Sequence, residues 1–495
     1  MTMSRTVQFA LATFTVVRII IVFGFIPTSL NRLLKSPSFT SALVNPVHTF
    51  KHLREGNLLI QLSGGSFENA HNTYAFQSPP LLMAVFQPLL SVQPQAIQDI
   101  LIGVLITLVD LGAALSLFQI SRRCLNNYGI GEDDESWAQR EMHERIRPAR
   151  AWVFGIKYGS KDTIEEKEKD PFEREEKSKP SSQAPVKSLF DISVLPQVCC
   201  LLYYCNPVTV LASVGTNDQS FQSIFYLLFL LALREVSRGA DAHETSRGQA
   251  INIPLSTFYL SLASYAEIYH LVYLIPVSLL AGNMLGSRQQ AAKLCCSYFL
   301  LWSCILQAMS FVLVGSEWVN IQSKVYSNVY SLSNFSPNLG MHWYFYVQMF
   351  QRFRLYFVVL LNGLPYIFII PLTIRIREYP IQLAISFFAL GAIFKPVLTC
   401  HDISLVLALF LMSPRTLSRM GNHSLVSIFA IFVPVTLYIM DYWLWLETGS
   451  GNANYMYFQC LAFSAFLSIL SLDFVSATVK HDKAIRLTKK QKKEN

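Results

Sequence analysis

The side chains able to do chemistry in this sequence fall into three groups. The first is ionisable residues inside otherwise apolar stretches: Arg18, Asp110, Glu267, His270, Lys395, Asp402, Asp441 and Asp473. At bilayer depth such groups are expensive unless they face a bundle interior or a wet cavity. They could therefore thread an ion or proton path, or hold helices together by buried hydrogen bonds. They are scattered over many stretches, and no inverted repeat with matching Gly/Pro breaks marks a transport core, which favours the structural role. The second group lies in the polar segment 27–96: Glu55, Glu68, His48, His52 and His71. Sugar transfer from a lipid carrier needs carboxylates in such a loop, commonly an acidic pair, to act as base and bind metal. Glu55 and Glu68 stand thirteen residues apart and are not paired. The third group is uncharged. Asn334–Tyr346 reads NFSPNLGMHWYFY, and Gly449–Tyr457 reads GSGNANYMY. Pro337 and Gly340 shape a turn. Trp343, Tyr344 and Tyr346 suit a membrane interface, and Asn452 and Asn454 offer donors and acceptors together. Amides beside aromatics suit sugar hydroxyls and phosphate edges; the plainer reading is that Gly and Asn simply make a turn. The G-x-S-x-G, H-E-x-x-H and Walker patterns are absent from the sequence.

The elements that must position these groups are membrane helices. Of 495 residues, 52% are hydrophobic and 15% are charged, against about 25% charged in an ordinary soluble domain. One stretch after another is long enough to cross a hydrocarbon core of about 30 Å. A soluble enzyme, a disordered chain and a small disulfide scaffold are excluded. The nine cysteines form no C-x-x-C pair, and most lie in apolar stretches where Cys acts as a small hydrophobe. Neither a disulfide framework nor a metal site is expected.

The run Val7–Ile26 is too long for a signal core and lacks a clear cleavage site, so it reads as a retained first span. A second span covers about 97–120. Ten more follow at about 192–213, 218–234, 252–267, 268–284, 293–314, 354–376, 380–396, 399–413, 423–443 and 455–478. The stretch Phe76–Leu90 is broken by Pro79, Pro80 and Pro88, and reads as interfacial or re-entrant. The expected fold is therefore all-α and polytopic, with about twelve transmembrane helices. Its parts are 1–120 with a luminal loop 27–96, a charged and partly disordered cytosolic loop 121–191, a ten-span body 192–479 and a basic tail 480–495.

Charge sets the orientation. Residues 131–190 hold 12 basic and 14 acidic groups, and the last sixteen residues carry seven basic and two acidic, which supplies +5 of the net +8. With both termini cytosolic, most basic residues fall on cytosolic loops, as the positive-inside rule requires. Arg32, Lys51, Arg54, Arg352 and Arg354 are exceptions. Lys492 and Lys493, fourth and third from the end, resemble a dilysine retrieval signal of endoplasmic-reticulum (ER) membrane proteins, an address rather than an anchor. The plainer reading is a basic tail against lipid headgroups.

Several runs together resemble one family. They are SPNLGMHWYFYVQMF (336–350), PYIFIIPLTIRIREYP (365–380), Ile393–Asp402, GSGNANY (449–455), VVRII (16–20), NPVTVL (206–211) and Asp473-Phe474. Nearly the whole chain apart from 131–190 is similar to PIG-U, the multispan subunit of the glycosylphosphatidylinositol (GPI) transamidase. The resemblance implies a body like that of GT-C sugar transferases, here without the catalytic acid pair. It implies a non-catalytic subunit in the ER membrane that binds and positions the GPI lipid while a caspase-like protease subunit does the chemistry. It assigns GPI-lipid binding to Asn452 and Asn454, with Ser336, Asn338, His342 and Trp343 as a supporting luminal rim. No catalytic residue, metal or cofactor is expected. The expected partners are the GPI lipid, the other transamidase subunits and the membrane, with no nucleic acid. The alternatives are an active mannosyltransferase of GPI synthesis, dependent on Glu55 or Glu68, and a GPI lipid transporter.

Overall fold

A computed structural model describes residues 3–25, 27–28, 44, 49–72, 78–126, 194–218, 220–230, 246–327, 335–417 and 419–494. The charged loop expected at 131–190 lies outside the described residues, as does Asn334. Among the described residues the secondary structure is helical, with a single β-bridge pair joining Thr49 and Asn217. The helices, in chain order, are α1 (Arg5–Phe23), α2 (Phe50–Leu62), α3 (Phe67–Asn72), α4 (Pro80–Leu90), α5 (Gln95–Asn126), α6 (Leu195–Tyr204) and α7 (Pro207–Val214). Then come α8 (Ser220–Leu230) and α9 (Ser246–Ala266). A 3₁₀ turn (Ile268–Tyr273) leads to α10 (Leu274–Leu285), α11 (Arg288–Val314) and α12 (Trp318–Ser327). The last group is α13 (His342–Gln348), α14 (Gln351–Ile376), α15 (Pro380–Phe394), α16 (Cys400–Leu411), α17 (Pro414–Leu417), α18 (Asn422–Leu446) and α19 (Ala453–Glu494).

Each of the twelve expected spans is helical at least in part, but their lengths differ. Seven helical segments among the described residues are long and apolar enough to cross a membrane: Arg5–Phe23, Gln95–Arg122, Leu195–Val214, Arg288–Tyr326, Gln351–Ile376, Val426–Leu446 and Ala453–Lys483. Within four of the others lie the shorter apolar helices Ser220–Leu230, Ile268–Gly282, Pro380–Phe394 and Cys400–Leu411. The sequence window could not separate the two kinds, because both are continuously apolar. At 1.5 Å per residue, α15 and α16 are roughly 22 and 18 Å long, well short of the hydrocarbon core. Eleven of the 15 residues of α15 and 11 of the 12 of α16 are buried. The long helices α11 and α14 sit outside them and expose apolar side chains such as Val312 (84%) and Ile374 (68%). So α15 and α16 are enclosed by protein, while α11 and α14 present apolar side chains outward.

Helix breaks need partners for their backbone groups, because no water is there to supply them. The break between α6 and α7 is written as Cys205-Asn206-Pro207: Asn206 accepts from the Val208 amide at 3.0 Å, and Pro207 opens the next helix. Arg18 closes the same break from the side. It shares the buried face of α1 with Val7 and Leu11. Its guanidinium donates to the Tyr204 carbonyl at 2.8 Å, to Thr209 Oγ1 at 3.2 Å and to Asp110 Oδ2 at 2.6 Å, and it lies 4.4 Å from the centroid of the Tyr204 ring. One buried ion pair thus ties α1, α5, α6 and α7.

The tail departs from the expected separate segment: α19 runs unbroken to Glu494, so residues 480–494 continue the last helix. The described part of the stretch 76–90 holds the 11-residue α4, packed through Phe86 against Phe50 and Phe221 at ring separations of 5.0 and 4.9 Å.

Removing one member of the Arg18–Asp110 pair leaves the other charged and buried, which costs about 3–5 kcal/mol. Arg18→Met is expected to lower the thermal midpoint of the detergent-purified protein sharply. Arg18→Met with Asp110→Leu is expected to restore part of that loss; a double variant no better than the single one would contradict the pair's role.

Candidate functional site

One of the three sequence groups, the uncharged one, becomes a single place in the fold. The uncharged segments, about 110 residues apart in sequence, meet between α13 and the start of α19. The connecting loop after α18 folds back on the helix end: Ser450 and Gly451 both donate to the Leu444 carbonyl, at 3.2 and 3.1 Å. Gly451 is required there, since a Cβ would stand 2.6 Å from the Trp445 backbone nitrogen. Asn452 Oδ1 accepts from the Asn454 amide at 2.9 Å and caps α19. Asn454 Oδ1 accepts a hydrogen bond from the Tyr344 hydroxyl of α13. Both amide oxygens are thus engaged, and Asn452 and Asn454 are exposed residues, which leaves their NH₂ groups as the donors the loop can offer.

Aromatic rings support this edge. Tyr344 and Tyr457 lie 4.8 Å apart, and Trp343 lies 5.3 Å from Tyr344 and 6.4 Å from Tyr457. The remaining predicted residues lie behind it. Asn338 is buried, and its Oδ1 accepts from Gly340 at 2.7 Å and Leu398 at 3.4 Å while its Nδ2 donates to the Ser336 carbonyl at 3.2 Å. Its own carbonyl accepts from Cys460 Sγ of α19 at 3.3 Å. Asn338 therefore staples the 336–346 segment to both the α15–α16 junction and the last helix. Trp343 is buried. His342 is 1% exposed, and burial pushes its pKa down to about 4, so its ring is neutral at neutral pH. Ser336 is half-buried. Tyr344 and Tyr457 were not singled out as contacts of the asparagines, although Tyr457 stands three residues after Asn454 on the same helix face. Lys492 and Lys493 lie in the terminal turns of α19.

The ionisable group also resolves into clusters. Arg18 and Asp110 form the pair above. Lys395 Nζ lies 2.8 Å from Glu267 Oε1 and 3.7 Å from Asp402 Oδ2. Asp402 Oδ2 in turn accepts from the Thr399 amide at 3.1 Å and its hydroxyl at 2.9 Å, closing the first turn of α16. Tyr203 OH is 2.9 Å from His401 Nε2, and Asn206 Nδ2 donates to Ser404 at 3.2 Å. Asp473 accepts from Ser424 at 2.6 Å. The apparent scatter in sequence resolves into separate groups in space: Arg18 with Asp110, Lys395 with Glu267 and Asp402, and Asp473 with Ser424.

The acidic residues of the 27–96 segment are not brought together as a pair with a shared function. Glu55 is on α2 with its carboxylate 4.0 Å from His52 Nδ1 and largely exposed. Glu68 is on α3 and accepts from Asn320 at 3.1 Å. Both nitrogens of His71 face backbone carbonyls, those of Phe67 and Ser78 at 2.8 and 3.0 Å. Among the described residues no group of three His, Cys, Asp or Glu side chains is arranged to hold a metal ion.

The profile of one protein family, the GPI transamidase subunit PIG-U, matches residues 12–463. The human GPI-anchor transamidase component PIGU is 27% identical over 308 residues, which are 60% of this chain and 66% of that protein. The GPI transamidase component GAB1 of Saccharomyces cerevisiae is 27% identical over 287 residues, 58% of this chain and 68% of the relative. The GAB1 homologue of Schizosaccharomyces pombe is 32% identical over 172 residues. The match thus spans just under two thirds of the human protein's length. With nine-tenths of its length inside the family profile, the chain belongs to the PIG-U family of GPI transamidase subunits.

Proposed function

We propose that the chain is a non-catalytic subunit of a GPI transamidase in the ER membrane, and that it binds and positions the GPI lipid. The single observation that carries this reading is the bridge between Tyr344 and Asn454. It joins the two segments of the family resemblance into one edge of exposed amides beside tilted aromatic rings. Amide NH₂ groups donate to sugar hydroxyls and phosphate oxygens, and aromatic faces pack on sugar rings. In this reading both termini are cytosolic, about twelve helices cross the bilayer in a GT-C-like body, and the edge is luminal. Ser336, Asn338, His342 and Trp343 set the position of that edge, and Lys492 and Lys493 act as the retrieval address. A caspase-like protease subunit supplies the chemistry. The chain's contribution is to hold the headgroup amine near the acyl-enzyme, which raises the amine's effective concentration there.

Replacing Asn452 and Asn454 with Leu removes the outward donors without burying a charge. Each hydrogen bond to a charged phosphate oxygen is worth about 1.5–3 kcal/mol, so lipid affinity is expected to fall at least roughly tenfold. Cells carrying the double variant as sole copy should show a marked loss of a GPI-anchored surface reporter at unchanged subunit level. Tyr344→Phe, which frees Asn454 but leaves both amides, should give a smaller loss. Full anchoring in the double variant would overturn the headgroup role.

The mannosyltransferase alternative makes an opposite forecast for the other luminal residues. Glu55→Gln together with Glu68→Gln should leave anchoring unchanged here, because neither carboxylate touches the proposed edge. Accumulation of under-mannosylated GPI precursors in that variant would favour the transferase reading instead.

A further inference from the structure

Seven of the eight ionisable residues in apolar stretches find partners in the fold. Arg18 pairs with Asp110, Lys395 holds Glu267 and Asp402, His270 Nδ1 lies 3.1 Å from the Glu267 carbonyl, and Asp473 accepts from Ser424. Asp441 alone has neither a hydrogen bond nor an ion pair among the described residues. Its carboxylate oxygens are not enclosed by the chain, so a group outside the chain can reach them. The 21-residue span that holds it is Val426–Leu446. That segment rises about 31 Å, close to the thickness of the hydrocarbon core, so its whole length is needed to cross. Asp441 stands about 7.5 Å inside its Leu446 end, at 1.5 Å per residue. An aspartate side chain is too short to reach back to headgroup level, unlike lysine or arginine. A carboxylate at that depth is costly without a cation beside it.

The helix around Asp441 is peripheral. α18 packs mainly along α19. On its outer side Val426, Phe429, Val433, Met440 and Trp443 are 68%, 70%, 59%, 48% and 40% exposed. Their spacing of three, four or seven places them in one row along the helix. Asp441 follows Met440 at the flank of that row, with the half-buried Leu437 and Leu444 one turn to either side. An apolar row bordered by one unpaired carboxylate is complementary to an apolar helix that carries one cation. A lysine or arginine on such a helix can be presented at the depth of Asp441, whereas a lipid ammonium stays at headgroup level. We propose that the outer face of α18 docks a membrane helix of another subunit, whose lysine or arginine pairs with Asp441. α18 leads directly into the loop that carries Asn452 and Asn454, so the docked helix stands beside the proposed headgroup edge. The inference rests on the reading of this chain as one subunit of a transamidase.

The test captures the complex in mild detergent through a tag on the full chain, from cells in which each variant is the sole copy. A photoreactive residue at Val433 or Met440 is expected to crosslink to an apolar helix of another subunit, with a lysine or arginine inside its span. Asp441→Lys should lower recovery of that subunit about tenfold, and Asp441→Asn several-fold, at unchanged levels of this chain. Replacing the partner's basic residue with aspartate should restore recovery beside Asp441→Lys. If Asp441→Lys fails to accumulate, Asp441→Asn decides, because it keeps the shape of the side chain. Asp441→Leu removes a carboxylate with no partner inside the chain, so the thermal midpoint of the purified chain should hold or rise. A fall would assign Asp441 to the chain's own fold and overturn the contact. Adducts of lipid mass only, of a second copy of this chain, or of a helix without a cation would also overturn it, as would full recovery with Asp441→Lys. Recovery of no other subunit by the parent would overturn the transamidase reading as well, whereas full recovery with Asp441→Lys counts against the contact alone.

Discussion

A helix that stops inside a bilayer must have its terminal backbone groups satisfied by protein. The structure depends on meeting that constraint at α15 and α16, which are both too short to cross. Their junction, residues 395–399, is closed by Asp402 from below and by the Asn338–Gly340 turn from above. Gly340 sits so close to the junction that a Cβ there would lie 3.0 Å from the Lys395 carbonyl and 3.2 Å from that of Pro396. Asn338 carries the same closure across to Cys460. The buried junction and the proposed lipid-binding edge are thus linked through one short turn, and the position of the edge follows from how the junction is sealed.

The same constraint explains where charge is tolerated. Arg18 satisfies the last carbonyl of α6 and balances Asp110. Lys395 balances Glu267 and Asp402. Polar groups that look isolated along the chain are thus paired in the interior, and α16 supplies Asp402, His401 and Ser404 as partners of Lys395, Tyr203 and Asn206. The proposed luminal edge is uncharged, held by Asx-type capping and a tyrosine hydroxyl. Those features suit recognition of a polar headgroup better than bond breaking, which would need a positioned nucleophile or base.

Much of this was legible in the sequence because local chemistry decided it. Continuous apolar runs gave the helical class. The SPNLG and GSGNANY segments marked turns beside aromatics, whereas the break at Asn206-Pro207 lay inside what read as one continuous span, 192–213. Lengths and partners were not legible. A 15-residue apolar run reads alike whether it is walled by protein or opens toward lipid, so α15 and α16 passed as ordinary spans. The continuation of α19 through its basic end was also missed, because lysine and arginine favour helix as readily as they favour a solvated tail. The pairing of Arg18 with Asp110, and of Lys395 with Glu267, depends on side chains 92 and 128 residues apart in sequence. No local pattern encodes such pairs.

The account's central claim is that a GPI headgroup rests on the edge formed by Asn452, Asn454 and Tyr344. Site-specific photocrosslinking in cells tests it most directly, with a photoreactive residue at Tyr455, which is 68% exposed beside both asparagines. The account predicts a glycolipid adduct at Tyr455 that disappears when GPI synthesis is blocked, and only bulk phospholipid at the lipid-facing Val312. Absence of the glycolipid adduct at Tyr455 in an assembled, active complex would contradict it.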